Sequence, residues 1–246
     1  MLADSGKTPI EGFFDAQSEG WTQLYHTDRH FSRRYKVLTS LMQAELHGVE
    51  PGLALDAGCG TGVFSVFLAE LGWQVEAIDA SSRMIDTARR YCESRLGTQA
   101  GSVMLRRAEI EDLRLPNATV DLVLCLSTLE YVREDLAALE SLVRVLRPGG
   151  RLVISIPNRG GLVRRIEALV GRVRHRPEAA YLQLQSHQRD PQEIDAFLLR
   201  SGLAKERDAF WSVGATLLEA GRFSSFFERP WWAGMYGAAY VKKATS

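Results

Sequence analysis

Cysteine is scarce in this chain: Cys59, Cys92 and Cys125 are the three present among 246 residues. They lie far apart and form no CxxC pair, which excludes a disulfide scaffold and a zinc site of ordinary spacing. No metal is expected. An excess of one charge is missing too. Thirty Lys and Arg balance thirty Asp and Glu, so no net field draws the chain toward nucleic acid, and no nucleic-acid partner is expected. No stretch approaches the roughly 20 apolar residues that span a bilayer. The opening MLADSGKTPIEG lacks the apolar run of a secretory signal, so the expectation is a soluble, cytoplasmic protein. Internal repeats and low-complexity segments are lacking as well. With 46% hydrophobic and 24% charged residues, what is left is an ordinary globular chain, long enough for one sizeable domain.

What is present is an alternation. Apolar runs predict strands at 53–57, 73–79, 103–107, 120–126 and 150–156, with helical patterns over 62–71, 81–96 and 133–146 between them. In the last helix Leu136, Leu139, Leu142, Val143 and Leu146 recur at helical spacing, and Pro148-Gly149-Gly150 is expected to stop it. Strands buried on both faces and joined by helices imply a mostly parallel sheet with right-handed crossovers. Residues 11–47 read as two helices. After an interruption at 157–190 the pattern resumes with a helix near 191–201, a strand near 204–212 and a last strand at 234–241 that pairs antiparallel. The expectation is one domain over 1–246: an N-terminal helical lid (1–50), a ligand-binding core (51–156), an insertion or cap (157–190) and the C-terminal part of the sheet (191–246).

The strongest local feature is Leu55-Asp56-Ala57-Gly58-Cys59-Gly60-Thr61-Gly62. Three glycines at alternate positions allow a tight strand-to-helix turn and bring backbone close to a ligand. In an open parallel sheet, ligands bind beyond the carboxyl ends of strands at the topological switch point. The dinucleotide fingerprint GxGxxG needs a further glycine at 63 or 65, where Val63 and Ser65 stand. A nucleoside without a pyrophosphate suits this loop better.

DAGCGTG resembles motif I of the class I S-adenosylmethionine-dependent methyltransferases, with good likeness over roughly 50–156 and looser likeness outside. The resemblance implies a Rossmann-like, doubly wound α/β sheet of seven strands, helices on both faces, the last strand antiparallel, and S-adenosylmethionine as cofactor. It places Gly58, Cys59, Gly60 and Gly62 along the cofactor, with Asp56 near its methionine end. Asp79, followed by Ala80, ends the second strand and takes the ribose hydroxyls, or else serves a helix start that Ser81 caps. Met84 packs on the adenine or belongs to the core. Glu109 stands where the family usually has aspartate for the adenine amino group, with the backbone of Ile110 beside it. Cys125 and Leu126, with Ser127, border the sulfonium, or Cys125 is simply a small core residue.

Methyl transfer from positive sulfur needs positioning and exclusion of water more than covalent help. A base matters only where the acceptor must lose a proton. His187, in the insertion, is the first choice, and His187→Ala is expected to reduce turnover without changing cofactor affinity. Glu130 and Tyr131, after the fourth strand, and His26 are further candidates, with His30 and Tyr25 behind them. In the insertion, Leu162, Val163, Ile166, Leu169, Val170 and Val173 fall within an arc of about 120° with arginines around them. This stretch, 159–176, is either a lid packed on the core or a basic helix making peripheral membrane contact.

The expected function is methyl transfer to an oxygen or nitrogen of a small, partly hydrophobic metabolite. Ubiquinone-pathway O-methyltransferases are loosely similar, in the glycine loop and in Phe14-Asp15…Trp21. A lipid-quinone or tetrapyrrole O-methyltransferase at the inner face of a membrane, and a non-catalytic cofactor-binding partner protein, are the alternatives. A nucleic-acid amino-methyltransferase is disfavoured by Leu126-Ser127-Thr128-Leu129, where an Asn-Pro-Pro-aromatic motif is expected.

Overall fold

Two N-terminal helices begin the fold, in a computed structural model that describes residues 8–165, 184–187, 189–212 and 228–244. Helix α1 (Pro9–Thr27) starts at a capping box: Glu11 N–H donates to Thr8 Oγ1, Thr8 N–H donates to the Glu11 carboxylate, and Pro9 opens the first turn. Asp28 ends α1 and caps α2 (Arg29–Leu46), its Oδ1 accepting from His30 N at 2.8 Å and Phe31 N at 3.1 Å. The two helices therefore turn on one residue.

The core is a seven-stranded sheet in the order β3-β2-β1-β4-β5-β7-β6. Its strands are β1 (Leu53–Ala57), β2 (Gln74–Asp79), β3 (Val103–Arg107), β4 (Val120–Leu126), β5 (Leu146–Pro157), β6 (Leu203–Trp211) and β7 (Met235–Lys242). The first five are parallel, while β7 runs antiparallel between β5 and β6. Helices α3 (Val63–Glu70), α4 (Ser82–Leu96), α5 (Asp135–Val145) and α6 (Pro191–Arg200) cover the two faces. Alternate residues of the central strands point to opposite cores. Leu122, Leu124 and Leu126 join α2, α3 and α4, whereas Val123 and Cys125 join α5 and α6. Burial on both sides is why these strands read as unbroken apolar runs. The sheet is the one expected, with the antiparallel last strand in place.

Most boundaries lie within one or two residues of those expected, and the start of β5 differs most. Helix α5 ends at Val145, and strand pairing begins at once, Leu146 opposite Val120, ahead of Pro148-Gly149-Gly150. A register shift between Val120 and Leu122 absorbs that tripeptide. Gly150 is required there because a Cβ would stand 2.9 Å from Arg147 O and 3.0 Å from Asp121 O. Proline and glycine thus mark a bulge inside a strand, which local sequence cannot distinguish from a stop.

Of the basic amphipathic stretch expected at 159–176, residues 162–165 are helical and 166–176 lie outside the described residues, as does most of the aromatic-rich 213–232. Among the described residues no helix is long and apolar enough to cross a membrane.

Candidate active site

Strands β1 and β4 are neighbours, but the chain leaves them toward opposite edges of the sheet, which opens a crevice above their carboxyl ends. The glycine turn lines one side. Gly58 and Cys59 both donate to Ile78 O, at 2.8 and 2.9 Å, tying the turn to β2. Gly58, Gly60 and Gly62 have φ of +78°, +54° and +78°, a region L side chains avoid. Their surroundings differ. A Cβ at Gly58 would lie 2.3 Å from the Thr128 side chain and one at Gly62 3.1 Å from Ala88 Cβ, while one at Gly60 would meet nothing within 4 Å. Two glycines seat the loop on its neighbours, and the middle one bares backbone to the crevice.

Asp79 holds this turn in shape. Its Oδ2 accepts from Gly60 N and its Oδ1 from Ser81 N, both at 2.9 Å, which leaves each oxygen a further lone pair. Burial pushes the carboxyl up to about 6; the two N–H donors oppose that rise, and the charges of Asp15 and Glu11 add to it. Asp56, at the end of β1, is 2% exposed and accepts from Ser65 Oγ at 2.6 Å. Burial lifts it as well to about 6. Beyond β3, Ala108 N donates to Asp79 O at 3.1 Å. An open cavity of about 230 Å³ lies here, lined by Ala80, Arg107, Ala108 and Glu109. Glu109 itself is exposed and Ile110 is buried.

Other predicted residues are placed differently. Met84 is fully buried, its N–H on the Ser81 hydroxyl. The Cys59 thiol is buried in the α2–α4 core, and burial pushes it well up. Cys125 lies in the α5–α6 core, likewise pushed up by burial, with Leu126 on the opposite face.

The N-terminal helices add residues that sequence reasoning missed. Asp15 accepts from Ser81 Oγ at 2.6 Å, so α1 is fastened to the start of α4. Glu11 pairs with Arg107 at 3.1 Å, and Arg107 Nε donates to Ala80 O at 2.9 Å. From α2, Arg34 donates to Leu126 O at 2.9 Å and lies over the rings of Tyr25 and Phe64 at 5.9 and 5.8 Å. Its Nε is buried with no partner among the described residues. A cation reaching the end of β4 from 92 residues away has no local signature.

The opposite side begins at Ser127, whose φ of +54° is unusual for a residue with a side chain. Its N–H donates to Ser155 O at 2.9 Å. The short 3₁₀ turn Leu129–Tyr131 follows. Glu130 is 4% exposed, and its Oε2 is buried with no partner among the described residues. Burial pushes its carboxyl up to about 7, against the nearby charges of Arg34 and Arg164. The Tyr131 ring meets Phe14 of α1 edge-on at 5.3 Å, and Phe14 meets Trp21 at 5.4 Å. Ser186 N and His187 N both donate to Glu130 O, at 2.8 and 3.3 Å. The His187 ring sits 2.7 Å from Arg133 O through Nε2, so a neutral ring bonded there carries its proton on Nε2. Glu130, Tyr131 and His187 are thus brought together. His26 is exposed on the last turn of α1, and His30 is half-buried at the start of α2.

Sheet order, glycine turn and the carboxylate after β2 define a Rossmann-like methyltransferase fold. Residues 55–154 match the family described as a methyltransferase domain. Over that stretch the chain is similar to class I S-adenosylmethionine-dependent methyltransferases, and distantly similar to ubiquinone biosynthesis O-methyltransferases. It is 37% identical over 110 residues to the mitochondrial one of Schizosaccharomyces pombe, covering 45% of this chain and 39% of that one. It is 36% identical over 157 residues to that of Xylella fastidiosa strain 9a5c, covering 62% and 61%. The matched stretch therefore spans less than two thirds of either relative. Among solved structures, magnesium protoporphyrin IX methyltransferase from Synechocystis PCC 6803 with bound SAH shares the fold, at a TM-score of 0.71 and 18% identity, over 97% of this chain and 100% of that one.

Proposed function

We propose that this chain transfers the methyl group of S-adenosylmethionine to an oxygen or nitrogen of a small, partly hydrophobic acceptor. The observation that carries this reading is Asp79: it shapes the glycine turn through one backbone donor on each carboxylate oxygen, which leaves each oxygen a further lone pair to which a ribose hydroxyl would donate. The rest of the crevice fits the same ligand. Gly60 leaves open space beside bare backbone, the Arg34 Nε and Thr61 Oγ1 are buried and unpartnered among the described residues, and an open cavity lies beside Ala80. Gly58, Cys59, Gly60 and Gly62 would line the ligand, Asp56 would face its ammonium, and Arg34 its carboxylate. Glu109 and Ile110 would meet the adenine, with Leu126 near the sulfur. When bound, this cofactor supplies an activated methyl group on positive sulfur. The chain's own residues then orient the acceptor and exclude water.

Phe14, Trp21 and Tyr131 form an aromatic wall on the acceptor side, which supports a partly hydrophobic acceptor. Similarity to proteins named for ubiquinone biosynthesis supports trying aromatic hydroxyl compounds first. A cytoplasmic setting belongs to the same reading, with 159–176 either a lid packed on the core or a contact with a membrane surface. Calorimetric titration with S-adenosylmethionine and S-adenosylhomocysteine tests the core of it. Micromolar binding by the native chain that is lost in Asp79→Ala is the expected result. An intact, folded chain that binds neither compound would overturn the reading.

A further inference from the structure

We propose that Glu130 is the proton acceptor of the reaction and that the group methylated is a hydroxyl, an inference that rests on the methyltransferase function proposed above. Glu130 sits just past the carboxyl end of β4, with its backbone carbonyl clamped by Ser186 N and His187 N. That clamp fixes the residue while leaving its carboxylate Oε2 buried and unpartnered among the described residues. A buried polar atom without a partner is costly and calls for an explanation. A ligand donor supplies one: a hydroxyl proton directed at Oε2.

The surroundings select the kind of donor. Arg34 from α2 and Arg164 from beyond β5 both act on Glu130 as positive charges. Two guanidiniums attract the oxyanion left by a departing hydroxyl proton and repel an ammonium. Cys125, buried beneath in β4, is held as a neutral thiol by the same burial. On the far side, Glu130 and Asp135 both line a cavity of about 10 Å³, far too small for an acceptor, and there Asp135 is neutralised by Arg189 through bonds of 2.7 and 2.8 Å. His187, engaged at Nε2 with Arg133 O, is a strut for the Glu130 turn. With its carboxyl pushed up to about 7, Glu130 is partly ionised near neutral pH and strong enough to take the proton.

In the step itself, the hydroxyl proton passes to Glu130 Oε2 while an oxygen lone pair forms the new C–O bond to the methyl carbon. The C–S electron pair returns to sulfur and cancels its positive charge, and the protonated Glu130 later releases its proton to water. The ether and the neutral thioether are the products.

The test uses the full chain with S-adenosylmethionine and a panel of phenol, 4-nitrophenol and aryl and alkyl amines, comparing native protein with Glu130→Gln and Glu130→Asp. Calorimetry first checks that each variant still binds the cofactor. Expected is methylation of the phenols, with Glu130→Gln slowing phenol turnover by about 100-fold or more. 4-Nitrophenol, ionised at mildly alkaline pH, should lose less than about threefold, because no proton has to be removed. Glu130→Asp should recover part of the phenol rate. In the cofactor-free chain, a carboxyl-carbon magnetic resonance titration should give a midpoint near 7 for a signal that Glu130→Gln removes. Methylation of amines alone, of no phenol although cofactor binds, or an equal loss for both phenols would each overturn the proposal and leave the function standing. So would a midpoint in the ordinary glutamate range. Absence of cofactor binding to the native chain would overturn the function on which it rests.

Discussion

The two walls of the crevice are built on opposite rules. On the side of β1 and β2, functional groups are also structural groups: Asp79 folds the glycine turn that would present the ligand, and Ser65 satisfies Asp56. On the side of β4, Glu130 Oε2 and Arg34 Nε are buried with nothing among the described residues to satisfy them. The first wall largely completes itself, although Thr61 Oγ1 is buried there without a partner among the described residues. The second leaves charged groups waiting, and its stability is subordinate to the ligand that would meet them.

The contrast predicts opposite responses to substitution. The largest effect is expected at Gly58, where alanine would force a Cβ against Thr128 and keep φ at +78°. Thermal unfolding should show a loss of about 2–5 kcal/mol, whereas Gly60→Ala, strained but unobstructed, should lose about 1–2 kcal/mol. Asp79→Ala comes next and should weaken cofactor binding by about 100-fold, since charge-assisted bonds are worth about 1.5–3 kcal/mol each. If it leaves affinity unchanged, the first wall is scaffold only.

Glu130→Gln should act the other way on stability. Asp56 and Asp79 near 6 and Glu130 near 7 hold protons in the folded chain that the unfolded chain has already released. The cofactor-free protein should therefore lose stability as pH rises from about 4 through 7, with the deficit fully present above that window. Removing the Glu130 charge should raise its melting temperature by a few degrees on the alkaline side and change little near pH 4. A variant that melts lower on the alkaline side would erase the contrast between the walls. The smallest effect is expected from Asp15→Ala, about 1 kcal/mol, detected as faster hydrogen exchange in α1 rather than as loss of fold.

Much of this molecule could be read from its residues in order. Leu53–Ala57, Val103–Arg107 and Val120–Leu126 are strands at the boundaries expected for them, and for the central two, Leu53–Ala57 and Val120–Leu126, the reason is two-sided burial, which writes itself into consecutive residues. The glycine turn and Asp79 were legible for a similar reason, their chemistry being confined to a short stretch of chain. Arg34 and Asp15 were not. They reach Leu126 and Ser81 across 92 and 66 residues, and nothing in a helix sequence announces which distant carbonyl or hydroxyl it will meet. The start of β5 was hidden because Pro148-Gly149-Gly150 looks the same whether it ends a helix or bulges a strand.

Helix α1 touches both walls, through Asp15 on Ser81 and Glu11 on Arg107 at one, and through Phe14 on Tyr131 at the other. It behaves as a buckle. Whatever loosens it at Asp28, the single residue on which α1 and α2 turn, loosens both walls together, at a joint that lines neither of them.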